Sequence, residues 1–134
     1  AMQREDSLWP VEYRVHDMCV GPIVPSDFDA AYAVDVLEHI KPEDEPNFLG
    51  NMVKSIKPTG VVIVGTPSVE SQVYASTASK AGHVNCKTGE SMRDTLSRYF
   101  HNVFIFSMND EVVHTGFYRM SHYIFGIGAN PKLP

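Results

Sequence analysis

At 134 residues the chain has room for one domain with a hydrophobic core and not for two. Its 43% hydrophobic and 20% charged residues are the composition of an ordinary globular protein. A formal net charge of −5, with no lysine- or arginine-rich block, argues against a general nucleic-acid binder, because phosphate binding needs a cationic face.

No apolar run is long enough to cross a bilayer, and no basic segment followed by an apolar core opens the chain as an export signal would. Cys19 and Cys86 form no CxxC pair, so free, buried thiols and a cytoplasmic location are expected. Ala1 ahead of Met2 reads as a cloning remnant or a trimmed start.

Residues 1–10 are polar, end in Trp9-Pro10 and predict an irregular lead-in. Val11 to His16 alternates apolar and polar residues, the mark of a half-buried strand. Gly21, Pro22, Pro25 and Ser26 make a loop. Phe28 to Val36 is continuously apolar enough to predict a strand covered on both faces, as in a parallel sheet. Phe48, Leu49, Met52, Val53 and Ile56 then form one helical stripe, with Pro42 and Pro46 in its opening turn and Pro58 as its stop.

After a turn at Thr59-Gly60, Val61 to Val64 predicts a buried strand, which completes a βαβ unit. One short helix is expected between Val69 and Lys80. Thr88 caps a helix carrying Met92, Leu96, Tyr99 and Phe100. Val103 to Met108 and Tyr118 to Ile127 are the last two strands, joined without a strong helix and therefore antiparallel neighbours. Tyr74, Phe104, Phe106 and Phe125 read as core.

The stretches "YRVHDM", "FDAAYAVDVLEHI", "MVKSIKPTGVVIVGTPS" and "GHVNCKTGESM", followed by the terminal strand pair, resemble class I S-adenosylmethionine-dependent methyltransferases. The resemblance covers about residues 11–128 and implies a single methyltransferase-like α/β domain over 1–134. Its sheet would be a truncated Rossmann-like one of about five strands, mostly parallel with an antiparallel C-terminal pair. The family opens with a strand, a glycine-rich turn and a helix, then a strand ending in the acid that grips the ribose. No G-x-G-x-G segment and no such acid precede Val11, so the chain looks like the C-terminal portion, and weak or absent S-adenosylmethionine binding is expected. Without those strands, Phe28–Val36 should expose an apolar edge. It would pair directly with Val11–His16, or close through a homodimer or a complementing chain.

The resemblance also assigns site residues. Asp17 and Met18 lie where an acid and the following backbone N–H meet the adenine ring; the other reading of Asp17 is a loop cap. Ala33, Val34 and Asp35 fall where the methionine end of the cofactor is held, unless Asp35 merely ends its strand. Glu38 and His39 crowd a strand's carboxyl end, where open α/β sheets place their ligand crevice. Glu38 would contact the acceptor and His39 would be a general base for it, or a structural histidine bonded to a nearby loop. His83 and Asn85 lie in a loop that the family places over the acceptor, implying substrate contact with a small-molecule or sugar-type acceptor. No motif spacing predicts a metal, a nucleic-acid site or a membrane contact.

Overall fold

The computed structural model describes residues 2–3, 11–110 and 112–132. Phe48, Leu49 and Met52 line the buried side of α1 (Glu45–Ser55), with Pro46 in its first turn, where no intrahelical N–H is required. The helix ends three residues before Pro58, because Ile56 already adopts an extended backbone (φ −100°, ψ 160°). On either side of α1 lie β3 (Phe28–Val34) and β4 (Ile56–Pro67), which run parallel from Ala30 opposite Val61 to Val34 opposite Gly65. That is the βαβ unit expected from the sequence.

The Thr59-Gly60 turn is instead an irregularity inside β4, where pairing jumps from Phe28–Ile56 to Ala30–Val61. Only glycine fits there. A Cβ on Gly60 would fall 2.9 Å from the Cβ of Ile56 and 3.1 Å from the Asp29 carbonyl oxygen.

The sheet is completed by β5 (Phe100–Asn109), β6 (Val112–His114) and β7 (Tyr123–Pro131), in the order β3-β4-β7-β5-β6. β7 pairs antiparallel with β5, as expected, and also with β4. A sheet expected to be mostly parallel therefore has one parallel pair among the described strands. β7 returns from the β5–β6 hairpin and inserts between β5 and β4, so it opposes both neighbours. Residues Tyr118–Met120 form a 3₁₀ turn ahead of β7 rather than its first residues.

Two short pieces stand apart. β2 (Glu12–Tyr13) is all that forms of the strand expected over Val11–His16; it pairs with β1 (Met2–Gln3), outside the five-stranded sheet. Val11, Tyr13 and Val15 are all exposed, so the alternation has no core to face. The rest of the expected lead-in, Trp9-Pro10 included, lies outside the described residues.

The core sits on one face of the sheet. Val62, Val64 and Ile124 pack with Leu49 of α1 and with Met92 and Leu96 of α3 (Gly89–Ser97). Thr88 caps α3 with a reciprocal box: its hydroxyl accepts from the Ser91 N–H, and the Ser91 hydroxyl accepts from the Thr88 N–H. Phe100 belongs to β5 rather than to this helix.

The opposite face, with Ile63, Phe106, Phe125 and Ile127, stays partly open, and Phe104 is 53% exposed. Cover on both faces, expected for Phe28–Val36, is corrected by β3: only its Ala33 is buried, while Tyr32 is 78% exposed. The apolar run there reflects an edge strand beside α1 and not a doubly covered one. Tyr74, expected in the core, is also exposed, at the end of the 3₁₀ turn Glu70–Tyr74. The single helix expected there is split, because Ala75 is extended and Ser76 caps α2 (Thr77–Gly82) by accepting from the Ser79 N–H.

Candidate active-site crevice at the ends of the parallel strands

The carboxyl ends of β3 and β4 lie side by side, and a 3₁₀ turn, β7 and the loop after α2 converge on them. Asp35 ends β3 in a left-handed conformation (φ 55°), which turns the chain sharply into the 3₁₀ turn Leu37–His39. From across the sheet the Tyr123 hydroxyl donates to Asp35 Oδ1 at 2.9 Å, and the same hydroxyl oxygen accepts from the Asp35 N–H at 3.1 Å. Burial pushes the Tyr123 phenol well above its ordinary range, and the bond to Asp35 adds to the shift.

Leu37 anchors the turn, fully buried, and this draws the next residue inward: Glu38 is 1% exposed although it is a carboxylate. The Glu38 carbonyl accepts from the Val84 and Asn85 N–H groups at 2.8 and 3.0 Å, so the loop after α2 is stitched onto the turn. That stitch carries His83 to His39, with ring centroids 5.1 Å apart in an edge-on arrangement. His39 is half exposed, and its Nδ1 lies 3.0 Å from the Gly82 carbonyl. His83 Nδ1 lies 2.9 Å from the Gln72 side-chain oxygen. Beneath the loop, burial raises the Cys86 thiol to about 11, with the Glu38 carboxylate adding to the shift. Both cysteines are free and partly buried.

Asn85 turns away from this crevice. Its amide donates to Glu45 Oε2 at 2.7 Å, beside the ion pair between Glu45 and Lys87, and all three residues are buried. Thr95 completes the group from α3. The network joins α1, the loop and α3, and its members are satisfied by one another, as buried charges require.

Asp17 and Met18 lie on the loop before β3. Asp17 Oδ1 accepts from the Cys19 N–H at 2.9 Å, the local turn geometry of an aspartate. The Met18 carbonyl accepts from the Asn51 amide of α1 at 2.8 Å. The Met18 side chain and Ala33 line one almost wholly apolar cavity of about 360 Å³, which runs along the free edge of β3 against Phe48 and Met52 of α1. The structure therefore brings Asp35, Glu38, His39 and His83 together at the strand ends, puts Met18 and Ala33 on a neighbouring cavity, and leaves Val34 exposed on the edge strand.

Sequence reasoning missed Tyr123 and Gln72, which orient Asp35 and His83. Neither sits in a motif, and 88 residues separate Tyr123 from Asp35.

This architecture, a parallel βαβ pair followed by an antiparallel terminal strand pair with polar residues crowding the parallel strand ends, is that of class I S-adenosylmethionine-dependent methyltransferases. Residues 1–64 match the family described as "Methyltransferase domain". The fold is similar to the methyltransferase SibL in its apo form (TM-score 0.63, 14% identity, 89% of this chain and 35% of that one). It is also similar to the small RNA methyltransferase HEN1 (TM-score 0.58, 16% identity, 78% and 14%). A third neighbour is the methyltransferase domain of bacterial CtHen1-C (TM-score 0.58, 18% identity, 78% and 53%). No curated protein matches the sequence. The match to that family covers just under half of the chain, and the likeness to these methyltransferases over most of its length is one of fold. The chain spans between about one seventh and one half of these neighbours' own lengths.

S-adenosylmethionine supplies an electrophilic methyl group on a sulfonium, and the residues present fit only parts of it. By charge, Asp35 would answer the cationic methionine end and Asp17 the adenine amino group, yet one oxygen of each carboxylate is already engaged by Tyr123 or Cys19. The sequence offers no glycine-rich turn for close backbone approach and no strand-end acid for the ribose. These residues alone do not make a complete cofactor site.

Proposed function

We propose that the chain supplies the rear strands and acceptor side of a methyltransferase domain whose lineage chemistry is methyl transfer to a small-molecule or sugar-type acceptor. By itself it binds S-adenosylmethionine weakly or not at all. The observation that carries this reading is the crevice at the parallel strand ends, where Asp35, Glu38, His39 and His83 converge without a glycine-rich turn beside them. In it His39 takes the acceptor proton on Nε2, which lies 3.8 Å from Glu38 Oε1 while Nδ1 is anchored on the Gly82 carbonyl. The net charge of −5 supports an acceptor other than nucleic acid. The free thiols Cys19 and Cys86 support a cytoplasmic location, and no described helix is long and apolar enough to cross a membrane.

The edge of β3, which no described strand pairs, and the apolar cavity beside it support completion by a second copy or by a complementing chain that brings the glycine-rich strands. That edge also favours a second reading, a non-catalytic α/β interaction module. Calorimetric titration with S-adenosylmethionine separates the readings. Each missing charge-assisted hydrogen bond is worth roughly 1.5–3 kcal/mol, so binding weaker by orders of magnitude than in a complete domain is expected. Micromolar affinity in the chain alone overturns the proposed impairment. Binding restored by an added polypeptide with a strand, glycine-rich turn and helix supports the split enzyme; none restored supports the interaction module.

A further inference from the structure

We propose that Glu38, His39 and His83 form a binding site for a divalent first-row transition-metal ion. One ligand atom from each lies within 4.8 Å of the other two, with His39 Nε2 3.8 Å from Glu38 Oε1. The set joins residues far apart in the chain, and three features mark it as more than a polar cluster.

The first is Glu38 Oε2, which is buried and has no hydrogen-bond partner among the described residues. A buried carboxylate oxygen left unsatisfied is costly, and native structures seldom keep one without a ligand or cation to meet it. Glu70 Oε2 is orphaned too, but Glu38 alone shares a cluster with free ring nitrogens.

The second is the orientation of the imidazoles. His39 Nδ1 faces the Gly82 carbonyl, an acceptor only, so Nδ1 carries the proton. His83 Nδ1 faces the side-chain oxygen of Gln72, whose amide nitrogen is turned to the Ser68 carbonyl, so this Nδ1 is protonated as well. Both Nε2 atoms are left with free lone pairs. Metal-ligating histidines are held in this way, the second nitrogen donating to a carbonyl or amide.

The third is the small size of the gap to be closed. Ligand atoms around one such ion, at about 2.1 Å from it, lie about 3–3.5 Å apart, so the set must contract by at most about 1.8 Å. Glu38 is buried in the core, while His39 is half exposed and its ring has open space on the solvent side, so a small tilt about the Gly82 contact would close the gap.

Two imidazoles and one carboxylate favour zinc, cobalt, manganese or iron over calcium or magnesium, which prefer all-oxygen ligands. Three protein ligands leave a position open for water or an acceptor oxygen; while the ion is bound, His39 Nε2 is a ligand and does not take the acceptor proton, so the base role belongs to the metal-free site.

The test needs no methyl donor, so its outcome is independent of the methyltransferase reading. Metal-free protein is titrated with Zn²⁺ by calorimetry and with Co²⁺ by visible absorption. One ion per chain is expected, with His39→Ala and His83→Ala each weakening uptake at least about tenfold and Gln72→Ala about tenfold at unchanged circular dichroism. Should the variants unfold, paramagnetic Co²⁺ in the unaltered protein must broaden the ring signals of His39 and His83 before those of His16, His101, His114 and His122. No saturable uptake, unchanged affinity in a folded double-histidine variant, or broadening that starts at other histidines overturns the proposal.

Discussion

A single hydroxyl ties the last strand to the site. Tyr123 donates to Asp35 across the sheet, and replacing it with phenylalanine leaves the ring packed against Phe125 but removes this bond and the one accepted from the Asp35 N–H. Tyr123→Phe should cost about 1–2 kcal/mol, read from urea unfolding, without change of fold. Cys86 sets a pH dependence. Its thiol ionises near 9.0 in an unfolded chain and at about 11 here, so the folded state holds the proton more tightly. Stability from this group is fully present below pH 9 and falls as pH rises toward 11. Unfolding free energies measured across that range should decline, and Cys86→Ser should flatten the part that begins near pH 9. Tyr123, also raised, contributes in the same direction at higher pH.

At the scale of elements, α3 rests on β7 through glycine. A Cβ at Gly126 would fall 2.5 Å from Leu96 Cδ1 and 2.8 Å from Met92 Cγ, and both of those side chains are fully buried. Gly126→Ala should therefore destabilise by about 1–3 kcal/mol, seen as a lower unfolding midpoint, because neither neighbour has room to retreat. The loop over the crevice depends on a second joint, the Glu45–Lys87–Asn85 group. Glu45→Ala leaves Lys87 buried without its counter-charge and should cost about 3–5 kcal/mol. A purely peripheral loop would show no such loss. The stitch from Glu38 to Val84 and Asn85 explains why this joint matters for the site: it is the link that places His83 beside His39.

For the whole molecule the open question is what lies against β3. The edge carries Phe28, Tyr32 and Val34, all exposed, and nothing among the described residues pairs with it. Direct pairing with Val11–His16, one of the two expected outcomes, does not form; β2 pairs with β1 instead. Association through the edge remains as the proposal. Sedimentation velocity should show self-association that rises with concentration and is weakened by Tyr32→Lys, a charge on the edge. A monomer at all concentrations, with no gain on adding a complementing chain, contradicts it.

Local chemistry was enough to read much of this protein from its residues. The βαβ unit, the capped α3 and the antiparallel β5–β7 pair follow from apolar periodicity, one threonine and a short connection, which act over a few neighbours. "DVLEHI" likewise announced a polar strand end. Three things had no local signal. The insertion of β7 between β4 and β5 depends on which edge the returning strand reaches. The one-sided cover of the sheet depends on where α1 and α3 dock. The meeting of Glu38, His39 and His83 depends on a backbone stitch between segments 40-odd residues apart in the sequence. Periodicity reports which side of an element is oily; only packing in three dimensions decides what that side meets.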